Sequence, residues 1–101
     1  MAPKRSWAQA RAKVEDEGVC RSCGTTRGLQ AAHIVPRSRI PGPAAMDARC
    51  VIPLCVDCHA AEHDGKLELL PLLTLEEQAY VVSLVGLGEA WRRTTNEREA
   101  A

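Results

Sequence analysis

The residues able to do chemistry in this chain fall in one stretch: Cys20-x-x-Cys23, then His33, then Cys50, then Cys55-x-x-Cys58-His59-x-x-x-His63. Each cysteine pair spans a tight turn that presents two thiolates. Brought together, the two pairs satisfy the tetrahedral sulfur coordination of a structural zinc ion. Five cysteines is an odd number, and the quartet leaves Cys50 over. His59 and His63 are four apart, so on a helix they share a face and can chelate one divalent ion. A further imidazole, His33, titrates near neutral pH and suits the role of general base. A cation that stabilises charge on phosphoryl oxygens and a base that activates water are the two parts phosphodiester hydrolysis requires. Each feature also has a plainer reading. His59, next to Cys58, could replace a cysteine at the zinc; the His-x-x-x-His pair could be two partly exposed histidines; Cys50 either ligates a metal or packs as a small hydrophobe, the usual state of an unpaired thiol.

The elements that must position these groups can be read from the pattern. Trp7, Arg11 and Val14 fall at helical spacing in an alanine-rich run, which predicts a helix over about 6–17 with Gly18 as its stop. It leads into the first cysteine turn, where Gly24 follows Cys23 and lets amides point at thiolates. Leu29 to Val35 reads as a short strand ended by Pro36. Val51 to Cys55 reads as its partner in a two-stranded ribbon, with Pro53 placing that strand at an edge. Between them, Pro36 to Arg49 is rich in Pro, Gly, Ala and Arg and reads as a long loop, of a length more often functional than idle. Val56 to His63 predicts a short helix closed by Asp64-Gly65. After a linking stretch from Lys66 to Leu73, Thr74 and Glu77 form a capping box for a long helix over about 75–93. Leu75, Ala79, Val82 and Val85 or Gly86 mark its expected buried stripe. Val81 to Leu87 is almost wholly apolar, so this helix either packs on more than one side or offers a surface to a partner, and Gly86 and Gly88 weaken it. The tail from Thr94 to Ala101 is polar and expected to fray.

At 101 residues the chain has room for one domain, 1–101, with its core at 20–64. With no Phe, two Trp and one Tyr, that core must be filled by Leu, Val, Ile and Ala. So small a core needs a staple, and a structural zinc contributes an apparent binding energy of about 10–16 kcal/mol to folding. The formal net charge is zero, but residues 1–49 carry nine basic against four acidic side chains and the remainder four against nine. A basic half that includes the candidate site is compatible with phosphate binding, as well as with a solvated mixed surface. The start, Met1 to Trp7, has no apolar run behind its charges, and no later stretch is apolar enough to span a bilayer. The expectation is a cytoplasmic protein with no membrane partner, in a reducing compartment that favours metal binding over disulfides.

At these residues the chain resembles the HNH endonuclease family, in the zinc-knuckle variety frequent among phages and bacteria. The matching pieces are Cys20-x-x-Cys23, Ala32-His33-Ile34-Val35-Pro36-Arg37-Ser38, and Val51-Ile52-Pro53-Leu54-Cys55-x-x-Cys58-His59-x-x-x-His63. The resemblance implies a small α+β fold: a ββα-metal core stapled by the four-cysteine zinc site, with flanking N- and C-terminal helices. It implies His33 as general base, His59 and His63 as ligands of a catalytic divalent ion, and Cys20, Cys23, Cys55 and Cys58 as ligands of structural Zn2+. Two positions depart from the family pattern. Ala32 stands where an Asp or His commonly supplies another metal ligand, and Cys50 stands where an Asn commonly holds the base-bearing loop; a thiol donates and accepts hydrogen bonds only weakly. Arg37, Arg39 and Arg49 border the loop and are candidates for gripping DNA phosphates, or are simply solvated. The implied function is a metal-dependent DNA endonuclease that nicks with little sequence preference, its ribbon and helix lying against the minor groove. Nitrogen ligands suit Mn2+, Ni2+, Co2+ or Zn2+, whereas Mg2+ would fit a site with more oxygen. The competing expectations are an HNH-like zinc module that binds DNA or a protein and cleaves nothing, and a plain zinc-ribbon adaptor. In the former the apolar C-terminal helix would be the working surface, and the family's phage members imply a terminase or other packaging protein as partner. The implied setting is the cytoplasm of a bacterial host or phage-infected cell.

Overall fold

A computed structural model describes residues 7–40 and 42–95. Its elements run α1 (Ala8–Glu17), β1 (Leu29–His33), β2 (Val51–Cys55), α2 (Val56–His63), α3 (Leu75–Val85) and α4 (Leu87–Thr94), with four short 3-10 turns in the connections. This is the small α+β architecture expected, with β1 and β2 paired antiparallel as a two-stranded ribbon. Among the described residues no helix is long and apolar enough to cross a membrane.

The ribbon register places Ala31 opposite Pro53, Ala32 opposite Ile52 and His33 opposite Val51. In an extended strand a residue's N–H and C=O point to the same side. The Pro53 carbonyl accepts from the Arg21 amide at 3.0 Å, so the side of Pro53 that lacks a donor faces away from β1. Pro53 therefore costs the ladder nothing. β1 ends at His33, two residues earlier than the sequence suggests. The Ile34 amide still reaches the Cys50 carbonyl at 2.9 Å, but Ile34 and Val35 turn inward and are wholly buried with Ile52 and Leu54. The 36–49 connection is not a plain loop: it contains 3-10 turns at Arg37–Arg39, Gly42–Met46 and Ala48–Cys50. α1 begins at Ala8, behind Trp7; the helix start expected at about residue 6 lies outside the described residues. Ala10 and Val14 are its buried positions, and the Gly18 amide closes it on the Val14 carbonyl.

The expected single helix over 75–93 is two helices. Gly86 separates α3 from α4 at φ +87° and ψ 159°, a backbone conformation that L-residues avoid. The expected stripe is present in part: Val82 and Val85 pack against the core. Leu75 is 82% exposed and Ala79 exposed, and the buried positions of α3 are Glu77 and Val81. The capping box is present, with Thr74 and Glu77 exchanging hydrogen bonds of 2.8 and 3.1 Å. The Glu77 carboxylate turns inward to pair with Lys13 of α1 and Arg21 of the first cysteine turn. That pairing bears on the rotation of α3, turning Glu77 rather than Leu75 inward. Thr94, expected in the tail, is instead the buried last residue of α4; its Oγ1 donates to the Ala90 carbonyl at 2.8 Å, and its own carbonyl accepts from Leu69 at 2.9 Å. The rest of the expected tail, 96–101, lies outside the described residues.

Candidate metal centres and catalytic residues

Cys20 and Cys23 come from the turn after α1, Cys55 from the end of β2 and Cys58 from the first turn of α2. Their four sulfurs lie within 4.8 Å of one another, with Cys23 and Cys55 3.7 Å apart. Zinc–sulfur bonds of about 2.3 Å in a tetrahedron place sulfurs about 3.8 Å apart, so the quartet fits the ion. Its protonation chemistry fits as well. Burial pushes the Cys20 thiol up, but amides of Cys23, Cys55 and Ser22 aimed at its sulfur outweigh that and bring it down to about 6. Burial pushes Cys58 up to about 12, with the neighbouring thiols of Cys55, Cys20 and Cys23 adding to the effect. Four thiolates repel one another; a divalent cation among them removes the conflict. Cys55 also caps α2, its sulfur accepting from the Cys58 amide at 3.4 Å. The second cysteine turn is thus continuous with the start of the helix that carries His59 and His63.

On α2, His59 Nε2 and His63 Nε2 are 3.2 Å apart. Two imidazole ligands on one tetrahedral ion, each at about 2.0–2.1 Å, are separated by about 3.3 Å. The second ring nitrogen of His59 faces Gln30 Oε1 on β1 at 2.7 Å. A carboxamide oxygen only accepts, so Nδ1 carries the proton and Nε2 presents a lone pair toward His63. Burial first, then the charges of His63 and His33, hold His59 below its ordinary pKa and keep it in the ligating form. Glu62, buried one residue before His63, brings a carboxylate oxygen into the same cluster.

His33, at the end of β1, lines with His59, Glu62 and His63 a cavity of about 660 Å3. Its Nε2 donates to the Ala45 carbonyl at 2.9 Å, because a carbonyl can only accept. The free lone pair is consequently on Nδ1. The Trp7 ring meets the imidazole edge-on at a centroid distance of 5.4 Å, and Arg37 lies over that same indole, its guanidinium carbon 5.4 Å from the ring centroid. Burial lowers the His33 pKa, the Ala45 bond opposes this and Arg37 adds to it. The net effect leaves His33 neutral at pH 7, as a base must be.

Cys50 does not join either metal cluster. It is fully buried, its thiol donating to the Ala44 carbonyl at 3.2 Å, and burial raises its pKa to about 11. Of its two readings, packing is the one the structure adopts. Ala32 is likewise fully buried in the core. Of the three loop arginines, only Arg37 lines the histidine cavity. Arg39 is 3.9 Å from Glu89; Arg49 pairs with Asp47 at 2.9 Å and stacks on Tyr80. The cavity is instead bordered by Arg11 and Arg93, together with Trp7, which sequence reasoning did not place there. Glu62 had a signal in the sequence, its position three after His59. Gln30 had none.

Residues 19–67 match the family model described as HNH endonuclease. This stretch matches an HNH module, and its four-cysteine cluster is consistent with the zinc-knuckle variety. The matched span of the HNH module holds all five cysteines and all three histidines, and it leaves α1, α3 and α4 outside. No curated protein and no solved structure matches the chain.

Proposed function

We propose that the protein is a metal-dependent endonuclease that hydrolyses DNA phosphodiester bonds, nicking with little sequence preference. The observation that carries this reading is the arrangement of one cavity: a neutral imidazole with a free Nδ1, His33, shares it with the paired Nε2 atoms of His59 and His63. In this reading His33 Nδ1 takes a proton from the attacking water, and the Ala45 carbonyl holds the ring in the tautomer that makes Nδ1 basic. Gln30 performs the corresponding service for His59 by fixing its proton on Nδ1. The ion held by His59 and His63 supplies charge stabilisation at the phosphoryl and leaving oxygens. Arg37 and Arg11, exposed at the rim, meet the phosphates on either side and contribute affinity without base readout. Trp7 excludes water from one side of the base. A structural zinc on the four cysteines would act on this chemistry by fixing the start of α2.

The test is nicking of supercoiled plasmid by zinc-loaded protein with Mg2+, Mn2+ or Ni2+ added in turn. Nicking that depends on the added ion and falls by about 10²–10⁴-fold in His33→Ala is the expected result. A folded, zinc-loaded protein that nicks with none of these ions overturns the proposal.

A further inference from the structure

Resting on that reading, we propose that Glu62 is the oxygen ligand of the ion held by His59 and His63, so that α2 alone supplies a three-donor site. His59, Glu62 and His63 stand at i, i+3 and i+4, the spacing that gathers three side chains on one helical face. Their ligand atoms all lie within 4.8 Å of one another. Glu62 Oε2 is 3.9 Å from His63 Nε2, which is in turn 3.2 Å from His59 Nε2. Donors bound to one ion at about 2.0–2.2 Å are about 3–4 Å apart, so the His59–His63 and Glu62–His63 separations match a shared ion, and Glu62 lies within 4.8 Å of His59.

Burial points the same way. The Glu62 side chain is 10% exposed against 71% for His63, and both line the histidine cavity. The carboxylate thus forms the floor of the site and His63 its mouth. The strand, by contrast, brings only the buried methyl of Ala32 at the position before His33. With no side-chain donor there, the third protein ligand has to come from another element, and α2 holds one. The consequence is a mixed nitrogen and oxygen donor set. Carboxylate oxygen favours harder ions, so Glu62 moves the site toward Mn2+ and Mg2+ relative to Ni2+.

Arg11 and Arg93 border the same cavity, and the rival role for Glu62 is as the buried partner of an arginine. Calorimetric titration of zinc-loaded protein with Mn2+ and with Ni2+, with the free Mn2+ read by electron paramagnetic resonance, separates the two. The expected result is one Mn2+ bound beyond the zinc in the wild type and none in His59→Ala. In Glu62→Gln, Mn2+ binding weakens at least tenfold and Ni2+ binding weakens less. Glu62→Gln that binds both ions like the wild type overturns the inference while leaving the nuclease proposal standing. A lower melting temperature for that variant before any second ion is added, with Mn2+ affinity unchanged, does the same and assigns Glu62 to an arginine. A wild type that takes up no ion beyond its zinc overturns both proposals. Should Glu62→Gln not fold, Glu62→Asp gives the same reading: a changed ratio of Mn2+ to Ni2+ affinity supports the ligand role, and an unchanged ratio overturns it.

Discussion

His33 is held by a carbonyl on one side and an indole edge on the other, and both contacts bear on its proton. The Ala45 carbonyl fixes the tautomer, while burial and the nearby Arg37 charge lower the affinity for a second proton. Because the pKa is lowered from its ordinary value of 6.5, the ring is neutral at pH 7 and stays so some way into the acid range. Cleavage at saturating metal should accordingly lose activity only as pH falls below about 6.5, with protonation of the base. The pH profile of kcat/KM, with ion binding followed in parallel, checks this; an acid limb centred above 7 would contradict the assignment of His33 as base. Cys50 belongs to the same neighbourhood for a structural reason. Its thiol donates to the Ala44 carbonyl, one residue before the carbonyl that holds His33, and with a pKa pushed up to about 11 it is a poor nucleophile. In native, zinc-loaded protein it should resist iodoacetamide and react only after unfolding. Cys50→Ala should cost about 1–2 kcal/mol in chemical denaturation, from lost packing and one weak hydrogen bond.

Among the elements, the break at Gly86 is the feature most open to a clean test. A Cβ built there meets nothing within 4 Å, so Gly86→Ala carries no steric clash with the rest of the molecule. The whole cost comes from forcing an L-residue to φ +87°, and about 1–2 kcal/mol of destabilisation is expected, measured by urea unfolding. Stabilisation instead would mean that α3 and α4 fuse into the continuous helix that the apolar run from Val81 to Leu87 suggests. This is also where reading the sequence worked and where it failed. The cysteine turns, the ribbon, α2 and the Thr74–Glu77 capping box were legible because each depends on neighbours a few residues away: ligand spacing, a short β-rich run, a cap and its reciprocal donor. The rotation of α3 was not, because Lys13 and Arg21, which bear on it, reach Glu77 from 64 and 56 residues away in the chain. A capping-box glutamate ordinarily faces solvent, and nothing local distinguishes one that turns inward. Candidate site residues divide in the same way. The histidines were legible from spacing, whereas Arg11 and Arg93 reach the cavity, and Gln30 reaches His59, only through the packing of α1, α4 and β1.

At the scale of the whole molecule two ionic devices do what so small an aliphatic core cannot do alone. The four-cysteine cluster, which could hold a structural metal ion, joins the turn after α1 to the β2–α2 corner. The Glu77 cluster joins that same turn, through Arg21, to α1 and α3. Arg21 also pairs with Glu17, the last residue of α1, at 2.7 Å. Burial acts to raise the Glu77 pKa, but hydrogen bonds from Arg21, Lys13 and the Thr74 amide overcome it and bring the carboxyl to about 2. Its folded pKa therefore lies below its unfolded value. Glu77 contributes its full stability above about pH 4.5 and loses it as pH falls toward 2. Removing the charge leaves Lys13 and Arg21 partly buried without their shared anion, so Glu77→Gln should destabilise the protein by about 3–5 kcal/mol at pH 7. Acid also releases zinc from thiolates, and an acid unfolding curve of the wild type alone would mix the two effects. The difference between wild type and Glu77→Gln cancels the zinc contribution they share. That difference should stay level from pH 7 to about 5 and shrink between about 4.5 and 3. A difference that stays constant through that acid range would show that the carboxylate charge is not what joins the three elements, and that Glu77 acts only as the cap of α3.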